Sequence, residues 1–418
     1  MRSPHVLVFS YLQGIVLSSL LEPEICPRSP FQFSLVPPTH LADGFSRLRG
    51  FLSHSNTAHR ENESPGLHAS EKAHSCRGQY CVWTSGEASS VGMSVVTTRA
   101  NRKRILERSA SRTVRSEPPA NFRTTEIPGK GIGMIANRRI RKGEPILTAK
   151  PAVLVHRKLV DELDLDDQYS LLDVAVSELP PMRREQFLAQ AGELGGHKVS
   201  DILFTNSFQV ILGGEDGQHL GNFPDVSRFN HDCRPNVAFY IDQNLTHHTH
   251  AIKEIQSGEE LTISYLDSFR ARSVRQERAH TSWGFACTCS QCSLPREEAD
   301  ASDARLYKIY QVENQLSDLN NGKSTPDMVE QLIGLYREER LDFKIADAYT
   351  IAALNYNQFG MADLARRYAD LSLEQGPLEH GTHAPDIEVM RAILEDAEGH
   401  WTYNRRPYRE VAPDQDEL

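Results

Sequence analysis

Three cysteines stand within six residues, in Cys287-Thr288-Cys289-Ser290-Gln291-Cys292. A C-x-C-x-x-C group strains any local disulfide and suits thiolate ligands on one metal ion. A closed tetrahedral zinc site takes four ligands, so these three are one short, and buried free cysteines are the plain alternative. Upstream lies Arg228-Phe229-Asn230-His231-Asp232-Cys233-Arg234-Pro235-Asn236, which alone could be a polar turn between strands. Between the two comes Gly258-Glu259-Glu260-Leu261-Thr262-Ile263-Ser264-Tyr265, an apolar stretch that ends on a tyrosine. Far upstream is Gly129-Lys130-Gly131-Ile132-Gly133. Its glycines let a backbone turn sharply and approach a ligand, although a glycine turn before a strand is common.

The elements that must position these residues follow from periodicity. Strand-like content covers Phe122 to Ile127, Gly133 to Ala136, Pro145 to Val155, Val237 to Ile241, His250 to Ile255 and Leu261 to Tyr265, punctuated by Gly129, Gly131 and Gly143. Val160 to Leu212 carries apolar residues at helical spacing and predicts a helical insert. From Ala301 onward the pattern is helical. Tyr349, Ala353, Tyr356, Gly360, Ala365, Ser372 and Pro377 fit one tetratricopeptide-like repeat, with Gly360 at the turn and Pro377 ending the second helix. Residues 1–115 read as mostly disordered, relieved by Cys81-Val82-Trp83 and Met93 to Thr98 as short strands and by a basic, partly helical linker from Arg99 to Arg115. His247, His248 and His250 read as a solvated hairpin tip rather than a metal site, and Tyr240 as core packing.

In this order, the four motifs resemble the SET-domain protein lysine methyltransferases, over roughly Phe122 to Pro295. The helical insert and long C-terminal region make the chain most similar to the SET–MYND branch. Residues 157–222 contain no cysteine, so a MYND finger is missing, as in fungal-type SET proteins. The resemblance implies an α+β fold: small curved sheets with knot-like threading over 120–267, the helical insert at 157–222, a zinc-binding post-SET segment at 268–295 and an all-α, tetratricopeptide-like domain at 300–418. It implies S-adenosylmethionine bound by Lys130, Gly131, Ile132, Gly133, Asn206, Asn230, His231, Tyr265 and Phe285. Tyr265 is the implied catalytic residue, and Trp283, where related enzymes often carry tyrosine, lines the lysine channel. Cys233 becomes the fourth ligand beside Cys287, Cys289 and Cys292 for a structural Zn2+.

The implied reaction is attack of a neutral lysine amine on a sulfonium methyl, which rests on alignment and oxygen dipoles rather than a strong base. The substrate is a protein lysine, histone or non-histone. The alternative is a catalytically silent scaffold that binds proteins through its helical domain. The 418 residues carry 46 Lys and Arg against 56 Asp and Glu, a net charge of −10. That balance argues against direct nucleic-acid binding and favours basic partners. The chain is expected to act as a monomer without a membrane span. For localisation, the nucleus or cytoplasm is expected. Val6 to Leu21 and the terminal Gln415-Asp416-Glu417-Leu418 leave a secretory route open, in which the Asn62 sequon would matter.

Overall fold

The computed structural model describes residues 73–84, 92–109, 121–212, 217–319 and 321–406. The apolar leader, the Asn62 sequon and the C-terminal tetrapeptide lie outside them. Among the described residues no helix is long and apolar enough to cross a membrane.

The first sheet has six strands, β1 (Ser75–Arg77), β2 (Tyr80–Thr84), β3 (Ser94–Thr97), β7 (Val153–His156), β9 (Gln218–Asn222) and β8 (Ser207–Ile211), hydrogen-bonded in that order. β3 and β7 run parallel. Helix α1 (Arg99–Ser109) follows β3. The N-terminal region read as mostly disordered thus supplies half of this sheet, and Val82 and Val96 are fully buried in it. Cys76 and Cys81 face each other across the β1–β2 hairpin and form a disulfide, a pairing the scattered N-terminal cysteines did not announce.

The second sheet orders β10 (Asn230–His231), β13 (Glu260–Ile263), β5 (Gly131–Ala136) and β4 (Phe122–Ile127), and the third orders β11 (Val237–Ile241), β12 (His247–Ala251) and β6 (Pro145–Ala149). The run from Pro145 to Val155 therefore splits between two sheets. The His cluster also differs from expectation. His247–Ala251 is a central strand whose alternate residues point inward, and His247 is fully buried against Phe239, Phe208 and Phe223. The polar sequence His-His-Thr-His hides that alternation.

The insert is helical only in part. It holds α2 (Leu159–Glu162), α3 (Leu165–Ser177), α4 (Pro181–Leu188) and α5 (Lys198–Asn206). Asp164 caps α3 by accepting from Asp167 N, and His197 caps α5 by accepting from Ser200 N. β8 and β9 then return as a hairpin, with Val210 buried between exposed Gln209 and Ile211.

Helix α6 (Arg272–Trp283) leads into the C-terminal domain of α7 (Arg296–Ser317), α8 (Pro326–Glu338), α9 (Ile345–Gln358), α10 (Ala362–Glu379) and α11 (Pro385–Glu395). α9 is buried nearly all round and is the centre of this domain. α9 and α10 meet at Gly360, which holds φ +76°. Pro377 sits inside α10 rather than beyond it. It lies in the last turn, so only the bond its missing N–H would make to Leu373 is lost, and the helix runs on to Glu379.

Candidate active site

β13 is the spine of the site. It pairs in parallel with β10, setting Asn230 beside Thr262 and His231 beside Ile263. On its other side it pairs antiparallel with β5. Asn236 locks the arrangement: its Nδ2 donates to Glu260 O at 2.8 Å, and its Oδ1 accepts from Thr262 N at 2.9 Å. β5 approaches Asn230 so closely that a Cβ on Gly133 would lie 2.6 Å from Asn230 Nδ2. Gly131, at φ +71°, makes the turn that allows it.

A carboxylate organises this end. Glu260 accepts from Asn230 Nδ2 at 2.9 Å and pairs with Lys130 Nζ at 2.7 Å. With its amide nitrogen so held, Asn230 keeps Oδ1 as the atom for a further donor. Ile132 on β5 is 46% exposed, an apolar side chain next to these polar groups.

His231 is buried between the two halves of the site. Its Nδ1 accepts from Tyr265 N at 3.0 Å, so Nε2 carries the proton, 3.3 Å from Cys233 Sγ. Tyr265 follows β13, and its hydroxyl donates to Phe229 O. Burial, with Glu260 nearby, holds the phenol above its ordinary range, so the hydroxyl stays protonated at neutral pH. The Tyr265 ring lies 5.4 Å from His231, 5.5 Å from Trp283 and 6.5 Å from Phe285.

α6 and its cap place the aromatic rings. The helix ends on Gly284 at φ +71°, with Gly284 N bonded to His280 O, and the chain turns back to bring Phe285 within 6.0 Å of His231. Trp283 Nε1 donates to Thr205 O at 3.0 Å, tying the wall to the end of α5. Asn206 is next along, its Nδ2 bonded to Ala191 O and Ile202 O. Asn206 therefore joins the site at its rim, through Thr205 and Trp283.

Cys233, Cys287, Cys289 and Cys292 are buried and unoxidised, with all four Sγ atoms within 4.8 Å of one another. Cys233 and Cys292 Sγ are 3.6 Å apart. A tetrahedral ion with Zn–S bonds near 2.3 Å sets its sulfurs about 3.8 Å apart, close to the Cys233–Cys292 spacing. Arg275, 1% exposed, lies beside Cys233 and Cys292 and places positive charge next to their sulfurs. The cysteines, Leu266 and Ala279 form one packed cluster, against which Tyr265, Trp283 and Phe285 rest.

The cluster is anchored to the C-terminal domain by Glu339, which sequence reasoning did not single out. Its buried carboxylate accepts from Arg234 Nη2 at 2.8 Å, Arg305 Nε at 2.6 Å, Ser302 Oγ at 2.8 Å and Gln291 Nε2 at 3.4 Å. Arg234 and Gln291 directly adjoin the ligand candidates Cys233 and Cys292. Glu260 and Asn236 were also missed as contributors, although both stand inside the motifs. Asparagine beside proline in a dense polar motif is a signal for Asn236; Glu339 carries none.

The SET domain family model matches residues 131–266. The chain is 25% identical over 288 residues to the histone-lysine N-methyltransferase set5 of Schizosaccharomyces pombe, covering 67% of this chain and 85% of that protein. It is 30% identical over 174 residues to the N-lysine methyltransferase SMYD2 of Rattus norvegicus, covering 40% of this chain and 39% of that one. It is 32% identical over 109 residues to the histone-lysine N-methyltransferase SMYD3 of Mus musculus, covering 25% of each. The match thus spans less than half of either SMYD relative. With β10, β13 and β5 holding the motifs together, the chain carries a SET domain and resembles the set5 and SMYD lysine methyltransferases around it.

Proposed function

We propose that the protein is an S-adenosylmethionine-dependent protein-lysine N-methyltransferase, acting on histone or non-histone lysine, with a structural Zn2+ on Cys233, Cys287, Cys289 and Cys292. The observation that carries this reading is the packing of Tyr265, Trp283 and Phe285 directly on the four-cysteine cluster, beside the Asn230–His231 strand. The relatives' names as lysine methyltransferases support the same chemistry.

The donor set suits the cofactor. Asn230 Oδ1, backbone groups of Lys130 to Gly133 and Asn206 Oδ1 can hold an amino-acid end, and the Phe285 ring can cover a purine. When bound, the cofactor supplies an electrophilic methyl group on a sulfonium. The chain supplies the rest. Trp283 and Phe285 make an aromatic wall whose ring faces attract cationic carbon next to positive charge. Tyr265 stays protonated and presents a neutral oxygen dipole, fixed through Phe229 and His231. It orients rather than abstracts a proton. A zinc ion held by Cys233, Cys287, Cys289 and Cys292 would pin the segment that carries the aromatic wall beside that hydroxyl.

Calorimetric titration with S-adenosylmethionine tests the cofactor half of the proposal. The wild-type chain should bind, and Asn230→Ala should weaken binding about tenfold or more, the loss of roughly 1.5 kcal/mol for a hydrogen bond to a charged group. Absence of binding to the wild type would remove the basis for the assignment.

A further inference from the structure

We propose that Asp347, Glu379 and His380 form a second metal site, separate from the cysteines, for one divalent ion of the Zn2+ type. Asp347 stands in the first turn of α9, Glu379 ends α10, and His380 is its C-terminal cap. The α9–α10 turn brings these two ends together. His380 Nε2 lies 2.9 Å from Asp347 Oδ1 and 3.8 Å from Glu379 Oε2, and the three ligand atoms are all within 4.8 Å of one another. Bonds of roughly 2.0–2.1 Å in tetrahedral geometry put ligands about 3.3 Å apart, between those two distances.

The second observation is an orphan atom. The Glu379 side chain is 1% exposed, and its Oε2 is buried without a hydrogen bond. Burying an unpaired carboxylate oxygen is costly. It faces the imidazole nitrogen, where an ion would satisfy both. Asp347 and His380 side chains are 15% and 27% exposed, so solvent reaches one side and offers an entry path and a water as fourth ligand.

Glu313 and Asp386 also face this group, with Lys344 and His380 as the basic groups beside them. Two oxygens and one imidazole are harder donors than four thiolates, so the two sites differ in chemistry as well as place. The site adjoins the sheets: Gly381 follows at φ +82°, and a Cβ there would lie 2.8 Å from Tyr240 Cε2 on β11. An ion would stiffen this contact between the helical domain and β11.

The test counts metal in the full chain and uses no methyl-transfer readout, so it stands or falls apart from the proposed activity. Protein stripped with chelator is equilibrated with Zn2+, desalted and analysed by mass spectrometry of the element. Two ions per chain are expected, falling to one in His380→Ala and in Glu379→Gln. Replacement by Co2+ should keep the thiolate-to-cobalt absorption of the cysteine site in both variants, which also reports that they are folded; should His380→Ala fail to fold, the isosteric Glu379→Gln decides. One ion in the wild type, or a second ion undiminished in a folded variant, overturns the proposal.

Discussion

Burial acts on imidazoles in the sheets and on carboxyls in the helical domain, and it moves the two in opposite directions. Burial holds His219 down to about 4, although Thr97 Oγ1 and Gly217 O bond its ring, and holds His247 down to about 3 among three phenylalanines. In the helices, burial pushes Glu313 up to about 7 and Glu379 up to about 8. These two imidazoles thus stay neutral in neutral solution. The two helical carboxyls thus hold their protons up toward the neutral range. The four-cysteine cluster and Glu339 lie on the seam between the sheets and the helical domain.

The comparison can be broken most severely at the cysteines. Cys289→Ser should lose the zinc, disorder the wall of Trp283 and Phe285 and abolish methyl transfer. The helical domain should remain folded, as read by helical circular dichroism. Full activity in a zinc-free variant would remove the metal from the account. Next in size is the seam. Glu339→Ala leaves Arg234 buried without its partner, and such a break costs about 3–5 kcal/mol. Denaturant unfolding should show that loss, and zinc should leave the variant faster. A loss under about 1 kcal/mol would mean that Glu339 does not join the two halves.

The smallest effect is the one that sharpens the contrast. For His219 and His247 the folded pKa is depressed, so the unfolded chain takes up more protons as pH falls below 6.5, and stability is lost toward acid. For Glu313 and Glu379 the folded pKa is raised. Their contribution is complete below the ordinary carboxyl value of 4.5 and is lost as pH rises toward about 7 to 8. Each group contributes a slope of about 1.4 kcal/mol per pH unit inside its window. Thermal unfolding of chelator-treated protein should therefore lose stability on both sides of a mid-range optimum. Glu379→Gln should flatten the alkaline side and leave the acid side unchanged; an unchanged alkaline slope would contradict the assignment.

The two halves also differed in how legible they were. The residues gathered beside β13 were readable because rare chemical types stood at fixed short spacing: Asn230, His231 and Cys233 in one motif, three cysteines in another. What could not be read was the partner of each. Glu339 meets Arg234 from 105 residues away, and no local pattern marks it. Strand β12 escaped because its residues are polar on both faces, and β8 and β9 escaped because Phe208 and Val210 continue an apolar run that began as helix. The strands of the N-terminal region were visible as apolar fragments, but the parallel pairing of β3 with β7 is a long-range contact that periodicity does not encode. In the helical domain the α9–α10 turn was legible at Gly360, whereas Pro377 misled because a proline in a last turn removes only one bond.

The most direct measurement is transfer of a labelled methyl group from S-adenosylmethionine to core histones and to a cell extract, by the wild type and by Tyr265→Phe. The account predicts a labelled protein band in the wild type and a fall of about 100-fold or more in the variant, the scale seen when one oriented polar group is removed from an active site, with cofactor affinity nearly unchanged. Wild-type rates in Tyr265→Phe would contradict the role of the tyrosine, and cofactor binding without transfer to any protein would make the chain a silent scaffold instead.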